Sequence, residues 1–569
     1  MDRLNLQVFQ QFWTIAKAYW FGEEKWQARG LLLGVVLFLL AYTGLSVVLN
    51  NKRGVLISAL SARDEPRFWE TVVIFIGVLI LYAPLLAGYR YLRDRLSLQW
   101  RRWLTNRFVD NYFDDRAYYN LSTSEIDIDN PDQRIAEDVR SFTQESLSFL
   151  LVLVESVLAV AAFSGVLWGL SQPLVFFLLL YAIVGTLVTT VVFGKPLVRL
   201  NFEQLKKEAD FRFSLVRIRE NAEAIAFYRG EVREAAQVKD RFLEVFENVK
   251  RVLLWELNLN VLTNAYEFIP FILPALVVAP AIFAGELEVG KVSEAQGAFI
   301  RVFFSLNVVV ARFQALTTFG AGINRLYTFA AFLEQTEPKA REAEEVGEVG
   351  CKPTIQTTTA DRLALEHLTL QTPSYQRTLV EDLSIDVPIG KGLLVMGASG
   401  CGKSSLLRAI AGLWHSGSGT IVRPNADKIL FLPQRPYMVM GTLRDQILYP
   451  NTHIEVDEPH LKQILAQVNL ADLAERFGGF DAERDWADVL SQGEQQRLTF
   501  ARLLLQKPDY AILDEATSAL DADNEERLYQ HLQAIGTTFL SVGHRSTLTH
   551  FHQCVLVLSP DQSWRLEAS

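Results

Sequence analysis

The segment from Gly397 to Ser404 has the composition of a loop that wraps phosphate groups. It follows a short apolar stretch, Leu393 to Met396, and precedes an apolar helix that we expect from Ser405 to Trp414. Glycines allow backbone N–H groups to surround phosphates at the N-terminus of a helix. The Lys403 ammonium would reach the outer phosphates of a nucleotide, and the Ser404 hydroxyl would hold Mg²⁺. The predicted phosphate-binding residues are Gly397, Ala398, Ser399, Gly400, Cys401, Gly402, Lys403, Ser404 and Ser405.

Two adjacent carboxylates, Asp514 and Glu515, follow the apolar stretch from Tyr510 to Leu513. We expect that stretch to be a buried strand, which places both carboxylates at its end. Asp514 would bind Mg²⁺ through water, and Glu515 would polarise the attacking water as a general base. The alternative is an acidic strand end without a catalytic role, and the phosphate-binding loop upstream argues against it.

The segment from Leu490 to Arg497, LSQGEQQR, resembles the signature motif of ATP-binding-cassette (ABC) proteins. In that family the positions of Ser491 and Gly493 touch phosphate, so the resemblance implies that both residues bind ATP. Gln492 stands where the family usually has Gly, and Glu494 stands where it usually has Gln. The resemblance therefore implies that ATP is bound with Mg²⁺, and it leaves the effect of these two replacements on affinity open.

Four further residues resemble family elements that occur in the same order. Gln434 resembles the Q-loop glutamine that links the metal site to the membrane domain, and Asp521 lies in a D-loop-like segment. His544 resembles the switch histidine that contacts the terminal phosphate. Tyr375 lies 28 residues before Lys403, where the family stacks an aromatic ring on adenine, although a loop tyrosine without a ligand is the alternative. The resemblance implies catalytic roles for Lys403, Gln434, Glu515 and His544, and metal binding by Ser404, Gln434 and Asp514.

The composition fits a chain that is half membrane and half soluble. It has 569 residues, of which 50% are hydrophobic and 21% charged, and its mean hydropathy is +0.14. This length requires at least two domains. The net charge of −10 gives no sign of a nucleic-acid partner. Cys351, Cys401 and Cys554 have no paired spacing, which argues against disulfides and a zinc site.

The first half of the chain contains six apolar stretches of about 20 residues, the length that crosses a bilayer. An aromatic-rich segment precedes them over residues 1–29, and we expect it to lie in the membrane interface rather than to form a soluble amphipathic helix. The last two spans are the least regular because they contain Glu267, Arg301 and Arg312. The predicted spans are Leu31–Leu49, Thr71–Leu92, Leu147–Leu170, Pro173–Phe193, Val261–Ala284 and Ala298–Phe319.

The loops between these spans predict the orientation of the chain. The two long loops, between the second and third and between the fourth and fifth spans, are rich in Lys and Arg, which marks them as cytoplasmic. Six spans then place both termini in the cytoplasm, where the soluble domain meets ATP. We expect an integral, multi-pass protein of the bacterial plasma (inner) membrane.

Several charges lie at predicted membrane depth or at its cytoplasmic edge. Charge inside a bilayer is costly and usually faces a wet cavity or an opposite charge. We therefore expect these residues to line a substrate cavity, with a salt bridge between helices as the alternative. Arginines at the end of the second span could bind phosphates of a cargo or act only as the positive-inside signal. The candidate cavity residues are Arg90, Glu155, Glu267, Arg301 and Arg312.

Segments in both long loops, Asn130 to Asp138 and Glu220 to Glu231, resemble subfamily D of the ABC transporters, as do Leu432 to Pro436 and Gly441 to Gln446. That subfamily includes peroxisomal fatty-acyl-CoA and lysosomal cobalamin transporters. The resemblance implies an exporter-type fold in which the tips of helical loops press on the ATPase domains. The implied coupling residues are Asn130, Pro131, Asp132, Gln133, Glu220, Glu223, Phe227 and Tyr228.

The sequence thus predicts an all-α transmembrane domain of six helices over 30–335, a linker over 336–355 and an α/β P-loop ATPase domain over 356–569. The resemblance implies a half-transporter that works as a homodimer in the lipid bilayer. Its cargo would be a bulky amphipathic small molecule or lipid conjugate, cobalamin or fatty-acyl-CoA-like. A peptide transporter and an ATP-gated channel or regulator are the alternatives.

Overall fold

The computed structural model describes residues 2–123, 128, 130–308, 312–335, 353–451 and 453–568. The chain divides into two compact units, Met1–Val346 and Gly347–Ser569. The predicted linker over 336–355 falls mostly on residues outside the described part of the chain.

The first unit is helical throughout its described residues. Apolar stretches continue into charged ones without a break, so several helices are far longer than the stretch that a bilayer requires. The helices are α1 Asp2–Phe21, α2 Lys25–Ala62, α3 Glu65–Phe113, α4 Ala117–Thr123, α5 Pro131–Gln133, α6 Val139–Leu170, α7 Gln172–Thr189, α8 Lys195–Glu220, α9 Ala222–Tyr228, α10 Glu231–Phe283, α11 Gly290–Leu306 and α12 Phe313–Gln335, with π-helical turns at Arg134–Asp138 and Thr190–Gly194.

Five helical stretches in the described residues are long and apolar enough to cross a membrane: Lys25–Ala62, Glu65–Ser122, Pro131–Leu170, Gln172–Gly194 and Glu231–Phe283. They contain the first four predicted spans in full and the fifth up to Phe283. The sixth predicted span, Ala298–Phe319, runs from α11 into α12 across residues 309–311, which lie outside the described residues. The fold therefore contains a membrane domain of several apolar helices.

The turn between α2 and α3 shows how the sequence ends one long helix and begins the next. Arg63 adopts a left-handed conformation with φ of 56°, and its backbone N–H donates to carbonyls of the last turn of α2. The carboxylate of Asp64 then accepts a hydrogen bond from the backbone N–H of Arg67 at 3.2 Å. Asp64 therefore acts as the N-cap of α3 and fixes the antiparallel hairpin of the two helices.

The second unit is an α/β domain with two sheets in its described residues. The larger sheet has the strand order β10-β9-β4-β8-β7-β6 and is parallel except for β10 at its edge. The smaller sheet has the order β1-β5-β2-β3 and is mostly antiparallel. The strands are β1 Gln356–Thr359, β2 Leu363–Gln371, β3 Thr378–Val387, β4 Gly392–Gly397, β5 Gly417–Arg423, β6 Ile429–Leu432, β7 Tyr510–Asp514, β8 Thr538–Val542, β9 Cys554–Leu558 and β10 Trp564–Ala568.

The parallel sheet is buried, as parallel sheets with helices on both faces usually are. Strands β4, β7 and β8 consist mostly of buried residues. Their carboxyl ends lie side by side, so the loops that follow them converge on one edge of the sheet. The helices of this unit are Lys403–Ile410, Leu443–Leu448, Glu458–Gln467, Leu473–Phe477, Trp486–Val489, Gln492–Gln506 and Ala522–Ala534.

Candidate functional site

The predicted phosphate-binding loop connects β4 to the helix Lys403–Ile410, which is shorter than the sequence indicated. Gly397 has φ of 148°, and a Cβ there would lie 2.3 Å from the carbonyl oxygen of Leu558, so only glycine fits. The Lys403 ammonium donates to the carbonyl oxygens of Gly397 and Ala398, both at 2.9 Å. The side chain of Cys401 is buried, and the tip at Ala398–Gly400 is exposed. The loop therefore offers its backbone to a ligand.

Ser404 and Asp514 meet at the ends of adjacent elements. The Ser404 hydroxyl donates to Oδ1 of Asp514 at 3.4 Å. Burial and the neighbouring Glu515 carboxylate raise the pKa of Asp514. A hydroxyl and a carboxylate at this spacing are hard oxygen ligands of the kind that Mg²⁺ prefers. These two residues fit the predicted metal role.

Glu515 is the point where three predicted catalytic residues come together. Its Oε2 accepts a hydrogen bond from Nε2 of Gln434 at 2.7 Å. Its Oε1 lies 3.1 Å from Nε2 of His544. The backbone of Glu515 has φ of 47°, an uncommon conformation for a residue with a side chain. Residues from two other loops therefore hold one carboxylate at the carboxyl edge of the sheet.

The predicted signature motif forms the N-terminus of Gln492–Gln506, which we name the signature helix. Ser491 is its N-cap, and it forms a capping box with Glu494. A Cβ on Gly493 would lie 3.2 Å from the carbonyl oxygen of Ala519, so the signature helix approaches the D-loop closely. Ser491 is exposed, as a residue that contacts an external phosphate must be.

Two residues that the sequence did not single out organise this site. Gln496 is fully buried, and its amide binds the Gln434 carbonyl at 3.3 Å, the Ser518 hydroxyl at 3.2 Å and the Ala519 N–H at 2.9 Å. Arg545 donates to the carbonyl oxygens of Ser518 at 3.1 Å and Leu520 at 2.9 Å. The sequence features that could have identified these two residues are a glutamine within the signature motif and an arginine directly after His544.

Two other predicted ATP-binding residues have different surroundings. The carboxylate of Asp521 accepts a hydrogen bond from the backbone N–H of Asn524 at 2.8 Å and caps the helix Ala522–Ala534. Tyr375 lies in the turn between β2 and β3, and its hydroxyl donates to the carbonyl oxygen of Pro353 at 3.1 Å. These two hydrogen bonds are made to Asn524 and Pro353, and not to Glu515 or to the phosphate-binding loop.

The two predicted coupling segments lie at helix junctions of the first unit. Asn130 occupies the N-cap position of α5 with φ of 43°, and its side chain makes no capping hydrogen bond although asparagine is a favoured N-cap residue. Pro131, Asp132 and Gln133 form the short helix α5.

The second coupling segment bends between α8 and α10. Glu220 ends α8, and Glu223 lies in the first turn of α9. Phe227 is 78% exposed and Tyr228 is 87% exposed at the end of α9. Adjacent exposed aromatic residues of this size are unusual unless a partner covers them.

Four of the five predicted cavity residues cluster in the membrane unit. Three of them, Arg90, Glu155 and Arg312, line a space of about 190 Å³ that we name the basic cavity, and Arg301 joins them through Glu155. Nη1 of Arg312 donates to the Ser148 hydroxyl at 2.9 Å, and Arg301 forms an ion pair with Glu155 at 3.7 Å. The interhelical salt bridge considered above is thus present for that pair. The polar lining includes Tyr42, Tyr89, Arg90, Arg93, Glu155 and Arg312.

Glu267 lies elsewhere, so the expectation of a single cavity is wrong. It borders a space of about 560 Å³ that we name the acidic cavity. Glu256, Asn260, Thr263 and Glu267 recur on α10 at the spacing of one helix face and line this space together. Its lining, within the described part of the chain, contains both carboxylates and no Lys or Arg. Tyr181, Tyr266 and Phe303 supply aromatic wall.

Comparisons with known proteins agree with this architecture. The family model described as ABC transporter transmembrane region 2 matches residues 15–283, and the ABC transporter model matches residues 380–518. An uncharacterized ABC transporter ATP-binding protein of Synechocystis sp. is 45% identical over 96% of this chain and 82% of its own length. ABC transporter D family member 2, chloroplastic, of Arabidopsis thaliana is 40% identical over 98% of this chain and 88% of its own length. The lysosomal cobalamin transporter ABCD4 of Mus musculus is 33% identical over 99% and 97%.

Proposed function

This chain belongs to the D family of ABC transporters, and we propose that it is a homodimeric half-transporter that moves a bulky amphipathic solute. The family's ATPase domain hydrolyses ATP with Mg²⁺ and couples hydrolysis to transport. The observation that carries the proposal is that one chain combines a membrane domain with one phosphate-binding loop and one signature motif.

We assign the hydrolytic step to Glu515. Gln434 and His544 hold its two carboxylate oxygens at 2.7 and 3.1 Å, so the carboxylate is oriented before the substrate arrives. It would accept a proton from the attacking water as a general base. Lys403 would bind the outer phosphates in place of the loop carbonyls that it now contacts. Mg²⁺, held by Ser404, Asp514 and Gln434, would supply charge stabilisation of the phosphates.

The dimer follows from the single copy of each motif. In ABC proteins the phosphate-binding loop of one ATPase domain faces the signature motif of another, so one chain supplies half of each ATP site. Two chains would complete two sites, each with Lys403 of one chain and Ser491 of the other. We propose that six helices of each chain cross the plasma membrane in the exporter arrangement, with both termini in the cytoplasm.

The tips of the long cytoplasmic helices would transmit closure of the ATPase domains. The exposure of Phe227 and Tyr228 supports this role because two large aromatic side chains there need a partner surface. In the exporter arrangement that we propose, an ATPase domain would supply that surface. The first tip, Asn130 to Gln133, would make the second contact.

The two cavities support a cargo with separate anionic and amphipathic parts. The basic cavity is small, about 190 Å³, and its arginines suit an anionic group such as a phosphate. The acidic cavity, about 560 Å³, is in the usual range for a small-molecule site and has aromatic and amide walls. Cobalamin, which has one phosphate and many amides, fits this division better than an acyl-CoA. The name of the mouse relative points the same way.

The test is transport by the purified chain in proteoliposomes. Cobalamin, a long-chain acyl-CoA and a peptide would be compared for stimulation of ATPase activity and for ATP-dependent movement across the membrane. We expect cobalamin to give the largest stimulation and its movement to stop in Glu515→Gln. Movement that continues at the same rate in Glu515→Gln with ATP would contradict a pump. Stimulation by peptide alone would overturn the cargo assignment.

A further inference from the structure

The hydroxyl of Ser491, in the signature motif, is hydrogen-bonded to the carboxylate of Glu494. The Ser491 hydroxyl donates to Oε2 of Glu494 at 2.8 Å, and the Ser491 backbone N–H donates to the same oxygen at 2.9 Å. The backbone N–H of Glu494 in turn reaches the Ser491 hydroxyl oxygen at 3.3 Å. A serine hydroxyl has one proton. It can therefore donate to Glu494 or to a phosphate of ATP, but not to both.

The charge of Glu494 makes this competition stronger than a glutamine would. Hydrogen bonds to an ionised acceptor are about twice as strong as those between neutral groups. Burial alone would raise the pKa of Glu494, but hydrogen bonds from Arg476 and Ser491 outweigh it and lower the pKa. The ionised carboxylate also lies beside the hydroxyl that a phosphate would contact, and like charges repel.

Arg476 counteracts that charge. Its Nη1 lies 2.6 Å from Oε1 of Glu494, the oxygen that Ser491 does not use. Glu494 is largely buried, whereas the side chain of Arg476 is 42% exposed and reaches it from the helix Leu473–Phe477. The guanidinium therefore offsets the charge of the carboxylate through Oε1 and does not compete for Oε2, the oxygen that binds Ser491.

We propose that Glu494 competes with ATP for the Ser491 hydroxyl, and that Arg476 limits this competition, so that the pair sets the ATP concentration at which the dimer closes. Both are positioning residues, because they act through Ser491 rather than on ATP. The proposal rests on the dimer proposed above, in which Ser491 meets the ATP of the partner chain.

The test is a double-mutant cycle of Arg476 and Glu494 in the full-length dimer. Arg476→Met leaves the carboxylate uncompensated, and we expect the half-saturating ATP concentration of the ATPase to rise about tenfold with a nearly unchanged kcat. Glu494→Gln should lower it about threefold, because a neutral amide competes less. The double variant should return to within about threefold of the unchanged protein. Arg444→Met is the matched control, because the ion-pair partner of Arg444 is Asp481, at 3.1 Å, and not a residue of the signature motif.

The same variants in a Glu515→Gln background separate this inference from the dimer proposal. Closed dimer would be measured by size-exclusion chromatography against ATP concentration, with thermal stability recorded for each variant. We expect the ATP midpoints to shift in the same order. If closed dimer forms but the double variant is as weak as Arg476→Met, Arg476 is only a structural clamp and the inference fails alone. If saturating ATP gives no closed dimer in any variant, the dimer proposal and this inference fail together.

Discussion

The imidazole Nε2 of His544 lies 3.1 Å from the carboxylate Oε1 of Glu515. The amide of Gln434 holds the other carboxylate oxygen at 2.7 Å. These contacts join the loops after β6, β7 and β8, which are adjacent strands of the parallel sheet. The φ of Glu515 is uncommon for a residue with a side chain. Such strained conformations cluster at functional sites, where the surrounding structure maintains them. Three of the four predicted catalytic residues thus meet at one carboxylate.

Glu515→Gln should keep ATP binding and lose ATPase activity by about 10²-fold or more, because the amide cannot accept the proton from water. Steady-state ATPase assays and nucleotide binding would measure the two effects separately. Glu526→Gln is the control, since Glu526 lies on the helix Ala522–Ala534 and pairs with Gln530. Near-normal turnover in Glu515→Gln would remove Glu515 from the role of base.

Replacing both Phe227 and Tyr228 by Ala should abolish the cargo-stimulated part of the ATPase activity and leave the basal part. Both side chains are largely exposed, so we expect the thermal stability of the chain to change little. Phe213→Ala, 70% exposed on α8, is the matched control for loss of an exposed aromatic ring. Full cargo stimulation in the double variant would exclude this tip from coupling.

Charge reversal in the cavities, by Glu267→Lys or Arg312→Glu, should change cargo-stimulated ATPase activity more than basal activity. The reason is that the charges line spaces within the membrane unit, whereas hydrolysis occurs in the other unit. Glu286→Lys, exposed in the turn after α10, is the control for added positive charge. A parallel fall of both activities would show that these residues only maintain the fold.

Acidification should destabilise the ATPase domain through His552. Burial lowers the pKa of His552 to about 4, and Nδ1 contacts the Leu548 carbonyl oxygen at 2.7 Å. The unfolded chain therefore binds more protons than the folded one between about pH 6.5 and pH 4, and stability is lost as the pH falls. From pH 7 to pH 5 this residue alone should cost about 2 kcal/mol.

The measurement for His552 is the unfolding transition at pH 7 and at pH 5. His552→Gln should lose less stability on acidification than the unchanged protein does. The exposed His367, replaced in the same way, serves as the control. An equal pH dependence for His552→Gln would mean that His552 does not titrate as its burial requires.

The sequence could predict the loop at Gly397–Ser404 and the carboxylates at 514 and 515 because both are local patterns at the ends of apolar strands. It could also predict five apolar spans, since bilayer thickness sets the length of the apolar stretch that crosses it. The contacts of Gln496 and Arg545 could not be predicted, because they join segments that the fold brings together over 22 to 62 residues of chain.

The division of the intramembrane charges also required the structure. The hydropathy pattern predicts that Glu267 and Arg312 are at membrane depth, but it does not give the face that each helix turns toward its neighbours. The mostly antiparallel sheet of β1, β5, β2 and β3 was missed for a related reason. Its strands β2 and β3 pair through bulges, so the alternating pattern of buried and exposed residues is interrupted.

Mixed dimers test most directly the claim that ATP is bound between Lys403 of one chain and Ser491 of the other. One dimer pairs a Lys403→Ala chain with a Ser491→Ala chain, and the other pairs a chain carrying both changes with an unchanged chain. If each ATP site is built from both chains, the first dimer has one intact site and the second has none. If each site is built within a single chain, the first dimer has no intact site and the second has one. Nucleotide trapping by vanadate would count intact sites. We predict trapping in the first dimer alone, and trapping in the second alone would contradict the account.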